Sequence, residues 1–124
     1  MTSQKPYLIR ALYEWCMDNK STPYLMTFVD QYTLVPRQFV KNDQIVLNIA
    51  EHATKNLLID NEWITFQATF AGVVEDIAVP IANVLGIFAK ETSQGMRFEL
   101  ENYTPPSPNN EPPKSQFGGL KLVK

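Results

Sequence analysis

The sequence predicts a small, mainly β domain, either an open barrel or two packed sheets, behind one amino-terminal helix. Three observations support this class. Short apolar segments with an alternating pattern recur along the chain, turn-forming residues separate them, and one continuous segment without glycine precedes them all. With 124 residues and 44% hydrophobic content, the chain is long enough to bury the core of one domain.

Residues 6–19 are predicted to form the helix, since Pro6 suits a first turn and no glycine or further proline interrupts the segment. Arg10, Glu14 and Asp18 share one narrow polar strip, while apolar side chains cover roughly 240° of the helical wheel. Because one packed face needs only about half of that arc, we expect two buried sides. One would face the chain's own sheet and the other a second copy of the helix; a helix sunk in its own core is the alternative.

The strands are predicted from apolar segments that are rich in strand-forming residues and bounded by turn signals. Outside a central pair, these segments are residues 24–29, 38–40, 73–79, 85–89 and 96–100. Ala71-Gly72 predicts a tight return, Pro80 is predicted to end a strand and begin one helical turn, and the last two strands are predicted to form a hairpin.

The central pair consists of residues 44–50 and 63–70, which alternate apolar with small or polar residues and are predicted to lie side by side. Residues 51–59 are predicted to be a connection between them, polar at first. The second faces of the pair carry small or amide- and hydroxyl-bearing side chains. Such a surface suits an extended peptide, because backbone can approach closely and amides can hydrogen-bond it. Solvated backs of two sheet strands are the alternative.

The formal net charge of −2 and the absence of a basic cluster argue against a phosphate-binding surface, so nucleic acid is not an expected partner. The first residues contain no apolar signal region, and no run of eighteen apolar residues occurs. We therefore expect a cytoplasmic protein without a membrane partner. Cys16 is the single cysteine and is predicted to be a small buried hydrophobe.

Few residues are suited to catalysis. His52 is the only histidine, and a lone histidine in a polar loop is more often a solvated group than a general base. Its neighbour Glu51 is expected to point to the opposite face. The acidic pairs at residues 60/62 and 75/76 lack the spacing of metal ligands. The sequence therefore predicts no catalytic residue, metal or cofactor, and a small enzyme using His52 and Glu51 remains the alternative.

The folded domain is predicted to span residues 1–102 and to be followed by a flexible linker over residues 103–117. Five prolines lie among the thirteen residues from Thr104 to Gln116, and proline supports neither a helix nor a sheet ladder. Apolar and basic residues return in the tail motif, residues 118–124. This pattern predicts a short docking motif on a tether, with an inert tail as the alternative.

Four stretches of the chain closely resemble the stringent starvation protein B family. They are PYLIRALYEW at residues 6–15, QIVLNIA at residues 44–50, FAG at residues 70–72 and VPIANVL at residues 79–85. The resemblance runs through the folded region to about Glu101 and resumes in the tail motif. Agreement in both parts makes it specific.

The resemblance implies an Sm-like β fold and an adaptor that hands substrates to the ClpXP protease. It implies a homodimer, and a groove for the ssrA degradation tag that transfer-messenger RNA adds to stalled polypeptides. It also implies docking of the tail motif on the amino-terminal domain of the ClpX unfoldase, with the ribosome as a further partner. An Sm-like RNA-binding module is the alternative function.

The resemblance also places the functional residues. The peptide groove falls on Asn48, Ile49, Ala50, Ala53, Phe66, Gln67, Ala68, Thr69 and Phe70. The protease-docking residues are Leu120, Lys121, Leu122, Val123 and Lys124. The dimer interface falls on Tyr7, Leu8, Ala11, Leu12 and Trp15 of the helix.

Overall fold

The computed structural model describes residues 2–104, in which one helix precedes seven strands. The elements are α1 (Lys5–Asp18), β1 (Pro23–Phe28), β2 (Gln44–Asn48), β3 (Lys55–Ile59), β4 (Trp63–Phe70), β5 (Val73–Pro80), β6 (Val84–Ala89) and β7 (Gly95–Arg97). Every strand pair is antiparallel. The predicted class, mainly β with two sheets and an amino-terminal helix, is confirmed.

The strands form two sheets, one in the order β2-β1-β6-β7 and the other in the order β3-β4-β5. One hydrophobic core joins them, with contributions that include Leu25 and Ile87 from the first sheet and Phe66 and Ile77 from the second. Ile9 of α1 is fully buried in the same core. Phe66→Ala would leave a large cavity at this junction, a change that typically costs about 3–5 kcal/mol.

The helix begins one residue earlier and ends one residue earlier than predicted, and Pro6 lies in its first turn as expected. Cys16 is fully buried, which confirms its prediction as a small hydrophobe. Arg10 belongs to the predicted polar strip of the helix, but its side chain is hydrogen-bonded within the domain. Its guanidinium donates to the carbonyl of Ile59 at 2.9 Å and to Oδ1 of Asn61 at 2.9 Å, so it ties α1 to the turn after β3.

The predicted central pair is wrong. Alternation correctly identified the buried side chains Ile45 and Leu47 of β2 and Ile64 and Phe66 of β4. However, β2 pairs with β1, and β4 pairs with β3 and β5, so the two segments lie in different sheets. Alternation reports which face of a strand is buried, and it carries no information about which strand lies alongside.

Two further predictions of local structure are wrong. Residues 55–59 form β3 instead of part of a connection, and residues 37–39 form a 3-10 turn instead of a strand. The ladder between β3 and β4 is irregular after Lys55, and Asn56 has a positive φ of 58°. Such a bulge breaks the alternation that would have identified the strand.

The turn predictions are confirmed. Ala71 and Gly72 both have positive φ, the geometry of a tight two-residue hairpin, and they connect β4 to β5. Residues 81–83 form a 3-10 turn directly after Pro80. The final hairpin of β6 and β7 is present, although β7 ends at Arg97, earlier than predicted.

Segment 98–103 is fastened to the domain by side chains. Tyr103 donates to the carboxylate of Asp30 at 2.5 Å, and its ring lies edge-on to Tyr32 and Trp63. Burial opposes ionisation of Asp30, but hydrogen bonds from Tyr103, Asn83 and Thr33, together with the backbone N–H of Tyr32, outweigh it and lower the pKa of the carboxyl. Tyr103, the first residue of the predicted linker, is thus held against the domain.

Lys5 is almost fully buried, and its Nζ donates to the carbonyls of Ala82 at 2.9 Å and Glu99 at 2.8 Å. Burial lowers the pKa of Lys5 from 10.5 to about 8, against the opposing charge of Glu101. The amine therefore ties the start of α1 to two segments that are distant in sequence. Burying its charge costs free energy.

The stability of the protein should rise between about pH 8 and pH 10.5 through Lys5. In that range the unfolded chain keeps the proton that the folded chain has released, so the free energy of unfolding increases with pH. Urea denaturation at pH 8 and pH 10 measures the slope. Other groups also titrate in this pH range, so the slope is compared with that of Lys5→Met, which should lack the contribution of Lys5. An identical slope in both proteins would contradict the prediction.

Candidate functional site

A cleft of about 270 Å³ opens at the hairpin end of the second sheet, against the 3-10 turn that follows β2. We call it the β4 cleft. Its walls come from two stretches of chain that approach each other, residues 52–55 on one side and strands β4 and β5 on the other. The lining residues are His52, Ala53, Thr54, Lys55, Gln67, Ala68, Thr69 and Val74.

The wall of the cleft that carries Ala53 is braced by short hydrogen bonds. Oδ1 of Asn48 accepts from the backbone N–H of Ala50 at 3.0 Å, and the carbonyl of Ala50 accepts from the hydroxyl of Thr54 at 3.1 Å. The N–H of Ala53 donates to the same carbonyl at 2.9 Å. These bonds close a compact turn, so the small side chain of Ala53 is held at a fixed place at the rim.

The amide of Gln67 connects three strands across the other wall. Its Nε2 donates to the carboxylate of Asp76 on β5 at 3.0 Å, and its Oε1 accepts from Nδ2 of Asn56 on β3 at 3.5 Å. Both bonds leave Gln67 with spare hydrogen-bonding capacity, because an amide offers two donors and two acceptor lone pairs. The two bonds orient the Gln67 side chain on this wall, where its remaining hydrogen-bonding capacity is available to a guest.

The structure brings together four of the nine predicted groove residues, namely Ala53, Gln67, Ala68 and Thr69. Three others, Ile49, Ala50 and Phe66, are fully buried and offer no side-chain surface to a guest. Asn48 is exposed, and Phe70 is half-buried against the ring of Phe39; neither lines the cleft.

Sequence reasoning missed four lining residues: His52, Thr54, Lys55 and Val74. Val74 is directly opposite Thr69 in the antiparallel register and is 65% exposed, so its side chain is accessible to a guest. That register follows from the Ala71-Gly72 turn, so it could have been found by counting outward from the turn.

The chemistry of the β4 cleft is that of a recognition surface. Small side chains leave room for a backbone, Gln67 and Thr69 offer hydrogen bonds, Lys55 brings a positive charge and Val74 an apolar contact. Glu51 and His52 diverge, since Glu51 lines a different cleft beside α1. Over residues 2–104, no group of three or more histidine, cysteine, aspartate or glutamate side chains is arranged to hold a metal ion.

The predicted dimer residues lie on one side of α1. Tyr7, Ala11 and Trp15 are exposed, with Tyr7 at 53% and Trp15 at 37%, and they recur every fourth residue. Leu8 and Leu12 are half-buried, and Leu12 packs against the domain core. The guanidinium of Arg10 lies 4.7 Å from the centroid of the Tyr7 ring. We call the exposed row the helix stripe.

The predicted protease-docking residues 120–124 and most of the predicted linker lie outside the described residues. Among those that are described, no helix is long and apolar enough to cross a membrane.

Fold and site together define a two-sheet antiparallel β domain whose amino-terminal helix leaves an apolar row exposed and whose second sheet carries an open cleft. The chain belongs to the stringent starvation protein B family, whose profile matches residues 3–118. This confirms the resemblance found in the sequence.

A curated relative, the stringent starvation protein B homolog of Haemophilus influenzae, is 45% identical to this chain over 101 residues. The match covers 79% of this chain and 66% of the relative. The chain therefore spans slightly less than two thirds of the length of that relative.

Proposed function

We propose that the protein is an adaptor that captures polypeptides carrying the ssrA tag in the β4 cleft and delivers them to the ClpXP protease through its tail motif. One observation carries the proposal: small, amide-bearing and hydroxyl-bearing residues from two separate stretches of chain converge on one open cleft. Family membership supports it independently. The proposed setting is the cytoplasm, with the ribosome as a further partner.

Binding in this cleft would use an extended peptide. Ala53 and Ala68 leave space for the peptide backbone, and the Gln67 amide and Thr69 hydroxyl can bond its polar groups. The fixed walls reduce the entropic cost of ordering the site, so a short contact can give useful affinity. No bond in the substrate is made or broken; the adaptor raises the local concentration of substrate at the protease.

The direct test is a fluorescence-anisotropy titration of a labelled tag peptide into the full chain. Saturable binding to the wild-type protein is the expected result. The same titration with a labelled single-stranded RNA tests the alternative function, and RNA binding that weakens steeply with salt, without tag binding, would overturn the proposal.

We also propose that two copies associate through the helix stripe. The row of Tyr7, Ala11 and Trp15 is continuous and faces away from the core, and a two-fold axis would bring each row against its counterpart. A dimer would present two tail motifs to one oligomeric unfoldase. Linking two weak contacts in this way can raise apparent affinity by about 10²- to 10⁴-fold.

Trp15→Glu should convert the dimer to a monomer, because it replaces the largest apolar side chain of the helix stripe with a charge. Multi-angle light scattering at micromolar concentration measures the mass directly. Val46→Glu is the matched control, since Val46 is an exposed apolar residue on β2, outside the helix stripe, and its variant should remain dimeric. A wild-type protein that elutes as a monomer would refute the interface.

A further inference from the structure

A cleft of about 680 Å³, larger than the β4 cleft, lies between α1 and β3 and is not part of the proposed tag site. We call it the helix cleft. Apolar surface comes from Tyr13, Met17, Leu57, Leu58 and Ile59, and Leu58 is 47% exposed. Together these side chains give the cleft an apolar wall against which another segment can pack.

The strand that forms one wall of the helix cleft is an open sheet edge. β3 pairs with β4 on one side, and within residues 2–104 no strand pairs with its other side. At the end of β3, the carbonyl of Ile59 accepts from the guanidinium of Arg10 on α1 at 2.9 Å. An edge with free N–H and C=O groups accepts an extended segment readily.

The charge of the helix cleft selects the kind of segment. Glu14, Asp18 and Glu51 line it, while the guanidinium of Arg10 is engaged with Ile59 and Asn61. The cleft therefore combines an apolar wall with a negative rim. A complementary ligand is an extended segment that alternates apolar with basic residues.

The tail motif has this composition: its residues 120–124 are Leu-Lys-Leu-Val-Lys. In an extended segment, Leu120 and Leu122 would share one face while Lys121 pointed to the other. We propose that these residues dock intramolecularly in the helix cleft, with Leu120 and Leu122 against its apolar wall and Lys121 toward its acidic rim.

The position of Tyr103 makes this reach possible. The ring of Tyr103 packs against that of Trp63 and holds the chain there. Tyr103 and Asn61 line the same cleft. Asn61 in turn is hydrogen-bonded to Arg10, which lines the helix cleft. Fourteen residues, 104–117, separate this anchor from the tail motif. At ~3.1 Å per residue they span roughly 40 Å. Twice the radius of gyration of a 100-residue domain is ~26 Å, so the extended linker is longer than this measure of the domain's width.

Docking would withhold the tail motif from the unfoldase until the unfoldase competes for it; this consequence, unlike the docking itself, rests on the proposed function. The helix stripe lies on a neighbouring face of α1, so the dimer and the docked tail would not compete for the same residues. The docked tail is thus an intramolecular contact that is weak enough to dissociate when the unfoldase competes for the tail motif.

The test uses the full ¹⁵N-labelled chain and compares amide spectra of the wild type with Leu122→Asp. Amide shifts over residues 56–59 and 14–18 should differ between the two proteins and should not depend on protein concentration. Asn110→Asp adds the same charge in the linker and should leave those shifts unchanged. Identical spectra for the wild type and Leu122→Asp would overturn the proposal, as would differences that vanish on dilution, because these would indicate a second copy in the cleft.

A charge reversal provides an independent check. Asp18→Lys should release the tail and move the same amide signals toward those of Leu122→Asp, and adding Lys121→Glu should restore docking. If half to nine-tenths of the tails are docked, release should tighten binding to the ClpX amino-terminal domain by roughly two- to tenfold. If the tail docks but its release leaves binding to the ClpX amino-terminal domain unchanged, only the delivery role is contradicted. If Asp18→Lys does not move the amide signals, the docking itself is contradicted.

Discussion

Replacing Thr69 with tryptophan should weaken binding of the ssrA tag peptide by at least about tenfold, a loss of about 1.4 kcal/mol. Thr69 lies at the rim of the β4 cleft, opposite Val74, and its side chain is exposed. An indole there would fill much of the space between the two walls. Because aromatic residues are good strand formers, the fold should be retained.

The measurement is anisotropy titration of the labelled tag, with circular dichroism to verify folding. Val46→Trp is the matched control, because Val46 is an exposed strand residue of the other sheet. It should bind like the wild type. Equal affinity of Thr69→Trp and the wild type would show that the guest peptide binds elsewhere on the domain, and the helix cleft would then be the next candidate.

Deleting residues 120–124 should abolish stimulated degradation of tagged substrate by ClpXP and leave tag binding intact. The two activities are expected to separate because the β4 cleft lies entirely within residues 52–74, far along the chain from the tail motif. Without the motif, the adaptor would still hold its substrate but would no longer raise its concentration at the protease, and the gain from tethering would be lost.

Removing five linker residues, 107–111, is the matched control for that deletion. The motif stays in place, and the shorter tether should change stimulation by less than about twofold, since effective concentration varies only slowly with linker length. Degradation of a fluorescent tagged substrate measures both variants. Stimulation that survives loss of residues 120–124 would refute delivery through the tail.

The fold class followed from local patterns, whereas the strand order did not. Alternation identified Ile45, Leu47, Ile64 and Phe66 as inward-facing, and the turn at Ala71-Gly72 set the register of β4 against β5. The partners of each strand depend on contacts between distant segments, which no local pattern records. β3 was missed because its bulge interrupts the alternation near Asn56.

The candidate site could be predicted only in part, and the reason is geometric. A run of consecutive strand residues cannot all face one guest, because alternate side chains point to opposite faces. Phe66 is fully buried in the core, whereas Gln67 and Thr69 line the cleft. Ala68, on the same side of β4 as Phe66, is only partly buried against the core and also borders the cleft. Ile49 continues the buried face of Ile45 and Leu47 and is buried by the same alternation, whereas Ala50 is buried at the point where the chain enters the 3-10 turn of residues 51–53.

The two clefts share a partition that is only one turn thick. In the 3-10 turn of residues 51–53, Glu51 faces the helix cleft while His52 and Ala53 face the β4 cleft, and Thr54 borders both. A displacement of this turn toward one cleft would enlarge the other cleft. A substitution in this turn that reshapes one cleft is therefore expected to reshape the other as well.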